Sequence, residues 1–346
     1  MLLYEQYAHA GLHRQRVCYT IHNFKHQGLT GEYALWATGL TNISQYFNFD
    51  RLRDNFNHGA VNLMKGGTVY SNFVTTVSPT HAQEARFTDQ GSGLNHTLEV
   101  HHGKFGGVLN GIDYDVWNPE VDPHIPARYG LDTLDQKYAN KAALRDRLWL
   151  RTDFKPIIAY VGRLDSQKGV HLIHHALFYA LRNEAQFVLL GSSPDPHINQ
   201  QFWNLKRHLN DSPDCHLELG FDEELSHLIY AGADMVVMPS LFEPCGLTQL
   251  IALKYGTVPI VRSVGGLKDT VFDKDYDGKP WEERNGFVFY NADHAGVESA
   301  LHRAIALWHH YPDDFRQLMV HGMRCDYSWY RPGQDYLNIY EHIRCK

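Results

Sequence analysis

Two loops hold the residue types in this sequence that could do chemistry, and the first suits a phosphate group. Residues 162–169 follow an apolar run and open a predicted helix, with Arg163 and Lys168 five residues apart. A guanidinium can bind two phosphate oxygens, an ammonium adds a point charge, and a helix N-terminus offers unpaired N–H groups. Because two cations alone also fit a solvated surface loop, the two interpretations are about equally good from these residues.

The second loop places a carboxylate where it could act on a sugar. Residues 239–249 follow another apolar run, with Glu243 near the middle. A carboxylate there can accept hydrogen bonds from sugar hydroxyls or stabilise positive charge that develops at an anomeric carbon. The alternative is a helix-dipole partner with no further role. Cys245 is a poor candidate for a nucleophile, because no histidine partner is evident.

Two further signals are weaker. Residues 263–267 include Gly265 and Gly266, whose lack of side chains would let the backbone approach a ligand closely. His22 ends a predicted strand and could border a cleft, although a lone histidine is more often structural than catalytic. Neither signal indicates a function by itself.

The elements that must position these loops form a repeating βα pattern over residues 155–308. Continuous apolar runs without alternation indicate strands of a parallel sheet that is covered on both faces. The predicted strands are residues 157–161, 186–190, 216–219, 235–238 and 258–261. The predicted helices between them are residues 170–181, 223–231 and 247–255, with Asp222 as an N-cap. In such a doubly wound domain, ligands bind at the carboxyl ends of the strands, which is where the polar loops begin.

The first part of the chain shows fewer elements. The pattern predicts a helix over residues 60–70 and strands at residues 16–21, 73–77 and 107–109. Residues 1–10 resemble the interior of an amphipathic helix, so we expect earlier βα units to be missing from this domain. We predict a partial first domain over residues 1–148, a second domain over 149–325, and a C-terminal segment over 326–346 whose amphipathic helix packs on the first domain.

Composition narrows the classes of partner. The 346 residues suit two domains, and a formal net charge of -7 leaves no basic surface for nucleic acid. No apolar stretch approaches the roughly 18 residues of a membrane span. The five cysteines are dispersed and the paired histidines diverge on a helix, so neither a disulfide framework nor a metal site is expected. We therefore expect a cytoplasmic protein with no nucleic-acid or membrane partner, no metal and no cofactor.

Six motifs in order resemble those of the bacterial glycogen synthases and plant starch synthases. They span most of the chain, which makes the match specific. They are TIHN at 20–23, VSPT at 77–80, GVLNGID at 107–113, GRL with QKG at 162–169, EPCGLTQ at 243–249 and VGGLKDT at 264–270. Details such as LLGSSP at 189–194 are similar to soluble starch synthases three and four and to the enzymes of photosynthetic bacteria.

The resemblance implies a GT-B fold, in which two Rossmann-like domains face each other. It also implies transfer of glucose from ADP-glucose to the non-reducing end of an α-1,4-glucan, with retention of configuration and without a metal. Arg163, Lys168, Glu243 and His22 would then be catalytic, the first two by neutralising the leaving diphosphate. The substrate-binding residues would be Gly246, Leu247, Thr248, Phe221, Gly265, Gly266 and Asn110, with Phe221 near the nucleotide base.

The family's Lys-x-Gly-Gly loop and His-Asp-Trp segment are not found, and both would precede Met1. We therefore expect a chain that is truncated at its N-terminus, with the first domain incomplete. The alternative to an active synthase is a fragment that binds nucleotide sugar or glucan without turnover. A sucrose or trehalose-phosphate synthase is disfavoured by the EPCGLT motif, and a dinucleotide oxidoreductase by the lack of G-x-G-x-x-G.

Overall fold

The computed structural model describes residues 15–39, 48–209 and 211–344, and the chain divides into two compact units. One unit contains Met1–Asn110 and Tyr330–Lys346, and the other contains Gly111–Trp329. The helix predicted over residues 1–10 lies outside the described residues. Among the residues described, no helix is long and apolar enough to cross a membrane.

The first unit is built on a small parallel sheet. Its strands are β1 (Cys18–Ile21), β2 (Leu29–Thr30), β3 (Val61–Asn62), β4 (Phe73–Thr76) and β5 (Phe105–Gly107). Its first four α-helices are α1 (Phe49–Leu52), α2 (Leu63–Tyr70), α3 (Pro79–Phe87) and α4 (Asn95–Val100). The parallel order is β1-β4-β5, while β2 and β3 form a separate antiparallel pair.

Capping side chains set where the helices of this unit begin. The Asn62 side chain accepts a hydrogen bond from the Lys65 N–H, so α2 begins after it rather than at residue 60 as predicted. Ser78 caps α3 in the same way, and Pro79 occupies the first helical position. The strand predicted at residues 107–109 lies two residues earlier, at Phe105–Gly107, where Phe105 is buried and is paired in register with Val74 of β4.

The second unit is a doubly wound α/β domain. Its strands are β6 (Ile157–Val161), β7 (Gln186–Gly191), β8 (Cys215–Leu219), β9 (Met235–Met238), β10 (Val258–Arg262) and β11 (Phe287–Phe289). Its helices are α5 (Lys137–Arg147), α6 (Val170–Arg182), α7 (Pro196–Leu209), α8 (Glu223–Gly232), α9 (Thr248–Lys254), α10 (Gly265–Thr270), α11 (His294–His310) and α12 (Pro312–Arg324). The strand order is β11-β10-β9-β6-β7-β8, with every pairing parallel.

The direction of winding reverses beside β6, which has β7 on one side and β9 on the other. Ligands of open α/β sheets bind at this reversal, outside the carboxyl ends of the strands. Both faces of β6 are buried: Ile157 and Ala159 join one core cluster, while Ile158 and Tyr160 join another. The continuous apolar run therefore predicted a strand covered on both sides, and this prediction is confirmed.

Residues 111–148 pack within the second unit, so the compact units separate well before the boundary predicted at residue 148. The Ile112 N–H donates to the Tyr327 carbonyl at 2.8 Å, and the Tyr129 hydroxyl donates to the Tyr255 carbonyl at 2.7 Å. These hydrogen bonds join residues up to 215 positions apart in sequence. Such long-range contacts cannot be read from composition, on which the predicted boundary was based.

The C-terminal helix α13 (Tyr330–Arg344) belongs to the first unit. The Arg16 guanidinium donates to the Ile343 carbonyl at 3.1 Å, and the Thr20 and Tyr336 hydroxyls lie 3.5 Å apart. The His342 ring meets the Phe73 ring edge-on at 6.3 Å between centroids. This helix therefore contacts β1 and β4.

Candidate active site

The loop after β6 presents Lys168 through a tight turn. Residues Ser166–Lys168 form one turn of 3-10 helix, and the Asp165 carboxylate caps it by accepting the Lys168 N–H at 3.1 Å. The same Asp165 pairs with the Arg163 guanidinium at 3.3 Å. The Arg163 side chain is 61% exposed and the Lys168 side chain 21% exposed. One cation of the predicted phosphate loop is thus open to solvent, and the other is held inward.

The loop after β9 holds Glu243 in a buried position, with 5% of the residue exposed. Its Oε2 lies 2.5 Å from the Lys168 Nζ and accepts the Ser240 hydroxyl at 3.0 Å. The Leu241 N–H donates to the Gln167 carbonyl at 2.7 Å, so the backbones of the two loops are also joined. Glu243 is therefore paired with one of the two predicted cations rather than serving as a helix-dipole partner alone.

Gln249 holds the EPCGLTQ loop in shape. Its buried amide donates to the carbonyls of Cys245 and Gly246, each at 3.0 Å. Gly246 has φ +75°, a conformation that residues with a β-carbon rarely adopt, and a β-carbon there would meet the Gln249 side chain. The spacing of glycine and glutamine in this motif thus has a local structural cause.

Gly265 and Gly266 lie behind this loop. Gly265 has φ +47°, and a β-carbon on it would collide with the Glu243 carbonyl. The Gly266 N–H donates to that carbonyl at 3.1 Å. Both glycines are buried, and neither lines the two cavities that border the loops after β6 and β9. Their close approach is therefore to the backbone that carries Glu243, which positions the carboxylate.

A cavity of about 280 Å³ brings the two loops together at the carboxyl ends of β6 and β9. Six of the predicted site residues line it, from both loops and from the start of α9. Its lining residues are Tyr160, Val161, Gly162, Arg163, Lys168, Met238, Ser240, Glu243, Gly246, Leu247 and Thr248. Sequence analysis missed Tyr160, which looks like a core residue of its strand, and Ser240, which lies only three positions before Glu243.

The tyrosines near this cavity stay protonated. Burial, and then the negative charge of Glu243, raise the pKa of Tyr160 well above its usual value. Its hydroxyl donates to the Arg163 carbonyl at 2.6 Å. Burial also raises the pKa of Tyr230 to about 12. Both phenols therefore serve as neutral hydrogen-bonding groups at physiological pH.

A second cavity of about 310 Å³ shares Val161, Gly162 and Arg163 with the first. Phe221 lies at its edge with 89% of the residue exposed, and Trp117 forms another part of the wall. The remaining lining residues are Leu190, Gly191, Ser192, Gly220, Asp222, Ser226, Tyr230 and Ile251. A mostly apolar cavity with three aromatic side chains suits a flat ring, next to the cationic loop that suits phosphate.

A buried polar group supports Trp117 from behind. The His227 ring stacks on the indole with centroids 4.0 Å apart and planes within 10°. The Asp122 carboxylate accepts hydrogen bonds from His227 Nδ1 at 2.7 Å and from the Tyr255 hydroxyl at 2.5 Å. Sequence analysis missed this group, because residues 117, 122, 227 and 255 carry no shared motif.

The two remaining predicted residues lie in the first unit. His22 follows directly on β1 and is exposed, and Asn110 lies three residues after β5 and is half-buried. Both are in loops that follow strands of the parallel sheet. Among the described residues, no group of three or more histidine, cysteine, aspartate or glutamate side chains is arranged to hold a metal ion.

Comparison with known families matches both parts of the chain. Residues 1–100 match the family model "Starch synthase catalytic domain", and residues 148–317 match "Glycosyl transferases group 1". The chain is 63% identical over 344 residues to glycogen synthase 2 of Methylococcus capsulatus, covering 99% of this chain and 71% of that protein. It is 64% identical over 345 residues to glycogen synthase 1 of Synechococcus sp. strain JA-3-3Ab, covering 99% and 70%.

Solved structures agree with these relatives. The catalytic domain of starch synthase IV from Arabidopsis thaliana, bound to ADP and acarbose, superposes with a TM-score of 0.95 at 43% identity and covers 100% of this chain and 70% of that one. HepE from Anabaena, at 13% identity and a TM-score of 0.59, shares the fold alone. The GT-B fold and the family that the motifs predicted are both confirmed, and a fragment without turnover is not favoured. The chain belongs to the starch and glycogen synthases, GT-B hexosyltransferases that transfer glucose in glycogen or starch synthesis.

Proposed function

We propose that this chain transfers glucose from ADP-glucose to the non-reducing end of an α-1,4-glucan, with retention of anomeric configuration. The observation that carries the proposal is the contact between Lys168 Nζ and Glu243 Oε2 at 2.5 Å, in the wall of a cavity that Arg163 also lines. Cations for a diphosphate and a carboxylate for a sugar thus occupy one site. The related Arabidopsis structure, which contains ADP and acarbose, supports an adenine nucleotide as the donor.

The cations act on the leaving group. As the bond between the glucose C1 and the phosphate oxygen breaks, its electron pair passes to ADP. Arg163 and Lys168 neutralise the charge that develops there, in the role that a metal ion has in other transferases. Arg163 is exposed and free to turn toward a diphosphate, whereas Lys168 exchanges part of its contact with Glu243 for the new anion.

Glu243 acts on the sugar. Its carboxylate stabilises the positive charge that develops at C1 and accepts hydrogen bonds from glucose hydroxyls. Ser240 holds one carboxylate oxygen, which leaves the other for the donor. The acceptor hydroxyl forms the new bond to C1 on the face that ADP leaves, and its proton passes to the departing phosphate. The configuration at C1 is therefore retained.

Further residues bind the substrates. The backbone at Gly246, Leu247 and Thr248 holds the sugar and phosphate, with Gly265 and Gly266 supporting that loop. The nucleotide base lies in the second cavity, where Phe221 and Trp117 provide aromatic surface. The family resemblance also implies a catalytic role for His22 and a substrate-binding role for Asn110.

The test is an assay of glucose transfer from ADP-glucose to glycogen, with UDP-glucose in parallel and ADP binding measured by calorimetry. Glu243→Gln removes the charge at constant shape, and Glu282→Gln is a matched control on an exposed glutamate outside both cavities. We expect Glu243→Gln to lower kcat by roughly 100-fold or more while ADP binding persists. Wild-type protein that binds ADP without transferring glucose, or full activity in Glu243→Gln, would contradict the proposal.

A further inference from the structure

A surface strip on the outer edge of the second unit has features that the proposed active site does not use. It begins at Trp149, whose residue is 81% exposed, and ends at Trp203, which is 42% exposed. Between them lie side chains from the edge strand β8 and from α7. The strip is defined here by five residues, Trp149, His216, Glu218, Lys206 and Trp203.

The contacts along the strip are continuous. The Trp149 and His216 rings lie 6.3 Å apart between centroids. His216 Nε2 lies 3.3 Å from Glu218 Oε2, which also pairs with Lys206 Nζ at 3.4 Å. The same ammonium lies 5.6 Å from the centre of the Trp203 ring. Two indoles are thus joined by a row of three groups that can donate or accept hydrogen bonds.

Local structure explains why these groups share a surface. His216 and Glu218 are two positions apart on β8, so their side chains leave the same face, while Cys215 and Leu217 are buried on the other. Among the strands that the structure describes, β8 is the last of this sheet and pairs with β7 alone. Charged side chains on an edge strand discourage pairing with another chain, which accounts for Glu218 but not for the two indoles.

The backbone at Trp149 is the strongest indication that the indole has a role. Helix α5 ends with the Leu150 N–H donating to the Arg145 carbonyl at 2.9 Å and the Trp149 N–H to the Asp146 carbonyl at 3.4 Å. This bond pattern places Trp149 at the position after the C-cap, with φ +53°. Glycine is the usual residue there, because a β-carbon makes the left-handed conformation unfavourable. A bulky, exposed tryptophan therefore occupies a position where local energetics favour glycine.

We propose that this strip is a binding site for α-glucan, separate from the active site, which holds the polymer to the enzyme. Indole faces pack on the C–H faces of glucose rings, and the carboxylate, imidazole and ammonium between them suit sugar hydroxyls. The proposal rests on the proposed function only in its choice of glucan, the polymer on which the enzyme acts. A neutral polyol ligand also agrees with a strip whose own charges are already paired.

The test compares Trp149→Gly and Trp203→Ala with Tyr311→Ala, a control that removes another exposed aromatic ring from the same unit. Glycogen affinity is measured by retardation in native gels that contain glycogen, and unfolding midpoints by calorimetry. We expect each tryptophan variant to weaken glycogen binding by roughly 2- to 10-fold, while the control binds as wild type does. Because glycine suits the backbone at residue 149, Trp149→Gly should keep or raise the unfolding midpoint.

Three results would overturn the site: tryptophan variants that bind glycogen as tightly as wild type, an equal loss in the tyrosine control, or a midpoint several degrees lower in Trp149→Gly. A concentration-dependent dimer that the tryptophan variants abolish would instead assign the strip to a second copy of the chain. ADP binding and transfer to maltotriose, measured on the same proteins, test the proposed function separately. If wild type lacks both yet the variants lose glycogen binding, the proposed function fails and the strip stands.

Discussion

Lys168 and Glu243, which are 75 positions apart in sequence, meet at 2.5 Å between Nζ and Oε2 and thereby join the loops after β6 and β9. These two strands are neighbours in the sheet because the winding reverses beside β6. The ion pair is therefore a direct product of the strand order. It also gives each residue two roles, since the same contact stabilises the folded loops and sets the charges in the cavity.

The two roles separate in a double-mutant cycle. Lys168→Met leaves the buried Glu243 carboxylate without its cation, so the free energy of unfolding should fall by about 1–3 kcal/mol. Adding Glu243→Gln should recover much of that stability, because the uncompensated charge is gone, without recovering any transfer. Urea unfolding and the transfer assay on the four proteins provide the measurement. If the stability losses of the two single variants simply add in the double variant, the two side chains are not coupled.

Substitution of Arg163 should affect stability less than substitution of Lys168, because the Arg163 side chain is mostly exposed and its pairing with Asp165 is a surface contact. We expect Arg163→Ala to change the free energy of unfolding by no more than about 1 kcal/mol. Its kcat/KM for ADP-glucose should fall strongly, and Arg163→Lys should restore only part, since an ammonium cannot bind two phosphate oxygens in a fork. Steady-state kinetics with both variants checks this. A large loss of stability with normal kinetics would assign Arg163 a structural role.

Phe221 offers a test of the base site. An aromatic side chain that is 89% exposed contributes little to folding, so Phe221→Ala should leave the unfolding midpoint unchanged. Loss of stacking on the base should raise the KM for ADP-glucose by roughly 2- to 10-fold and leave kcat nearly constant. Phe221→Tyr is the matched control that keeps the ring. An unchanged KM in Phe221→Ala would place the base elsewhere.

Sequence patterns predicted the strands and helix ends that are determined by neighbouring residues in the chain. Strands β6 and β9 were predicted with their observed bounds, and Asp222 is the N-cap of α8, accepting the Leu225 N–H at 2.8 Å. Strand β11 was missed because it has only three residues, Phe287–Phe289, and is recognised by its pairing with β10. A run that short carries no periodicity.

The candidate site was predictable where a motif holds its residues together. Arg163, Lys168, Glu243, Gly246, Leu247 and Thr248 lie within two loops that follow strands, and all six line one cavity. Trp117 could not be found in this way, since it enters the second cavity through a stack on His227, 110 positions later. Buried polar groups such as Asp122 are visible only once long-range packing is known.

The charge on Asp122 should make the free energy of unfolding depend on pH in the acidic range. Burial alone would raise the pKa of its carboxyl, but hydrogen bonds from His227, Tyr255 and the His124 N–H outweigh burial and lower the pKa below its usual value. A lowered pKa in the folded state means that this carboxylate stabilises the fold above about pH 4 and that the contribution is lost as the pH falls further. Asp122→Asn should lower the free energy of unfolding at pH 7 by roughly 3 kcal/mol and by less at pH 3, as urea unfolding would show. An equal loss at both values would rule out the charge as the cause.

Lys137 should produce a pH dependence of the same sign, but at alkaline instead of acidic pH. Its Nζ is buried and donates to the carbonyls of Tyr230, Ala231 and Tyr255 at 2.9–3.0 Å, and burial lowers its pKa to about 7. The unfolded chain keeps this lysine protonated up to about pH 10, so between pH 7 and 9 it binds more protons than the folded chain. Stability from this group therefore rises with pH across that window.

Lys137→Met removes the titrating group and keeps an unbranched side chain. The difference in the free energy of unfolding between wild type and this variant should shift in favour of wild type by about 2 kcal/mol from pH 7 to pH 9. Urea unfolding at several pH values provides the measurement, with Lys268→Met, on an exposed lysine, as the control. Because ionising tyrosines affect wild type and variant alike, only the difference is diagnostic. A difference that stays constant over this range would mean that Lys137 keeps its proton in the folded protein, held by its carbonyl acceptors.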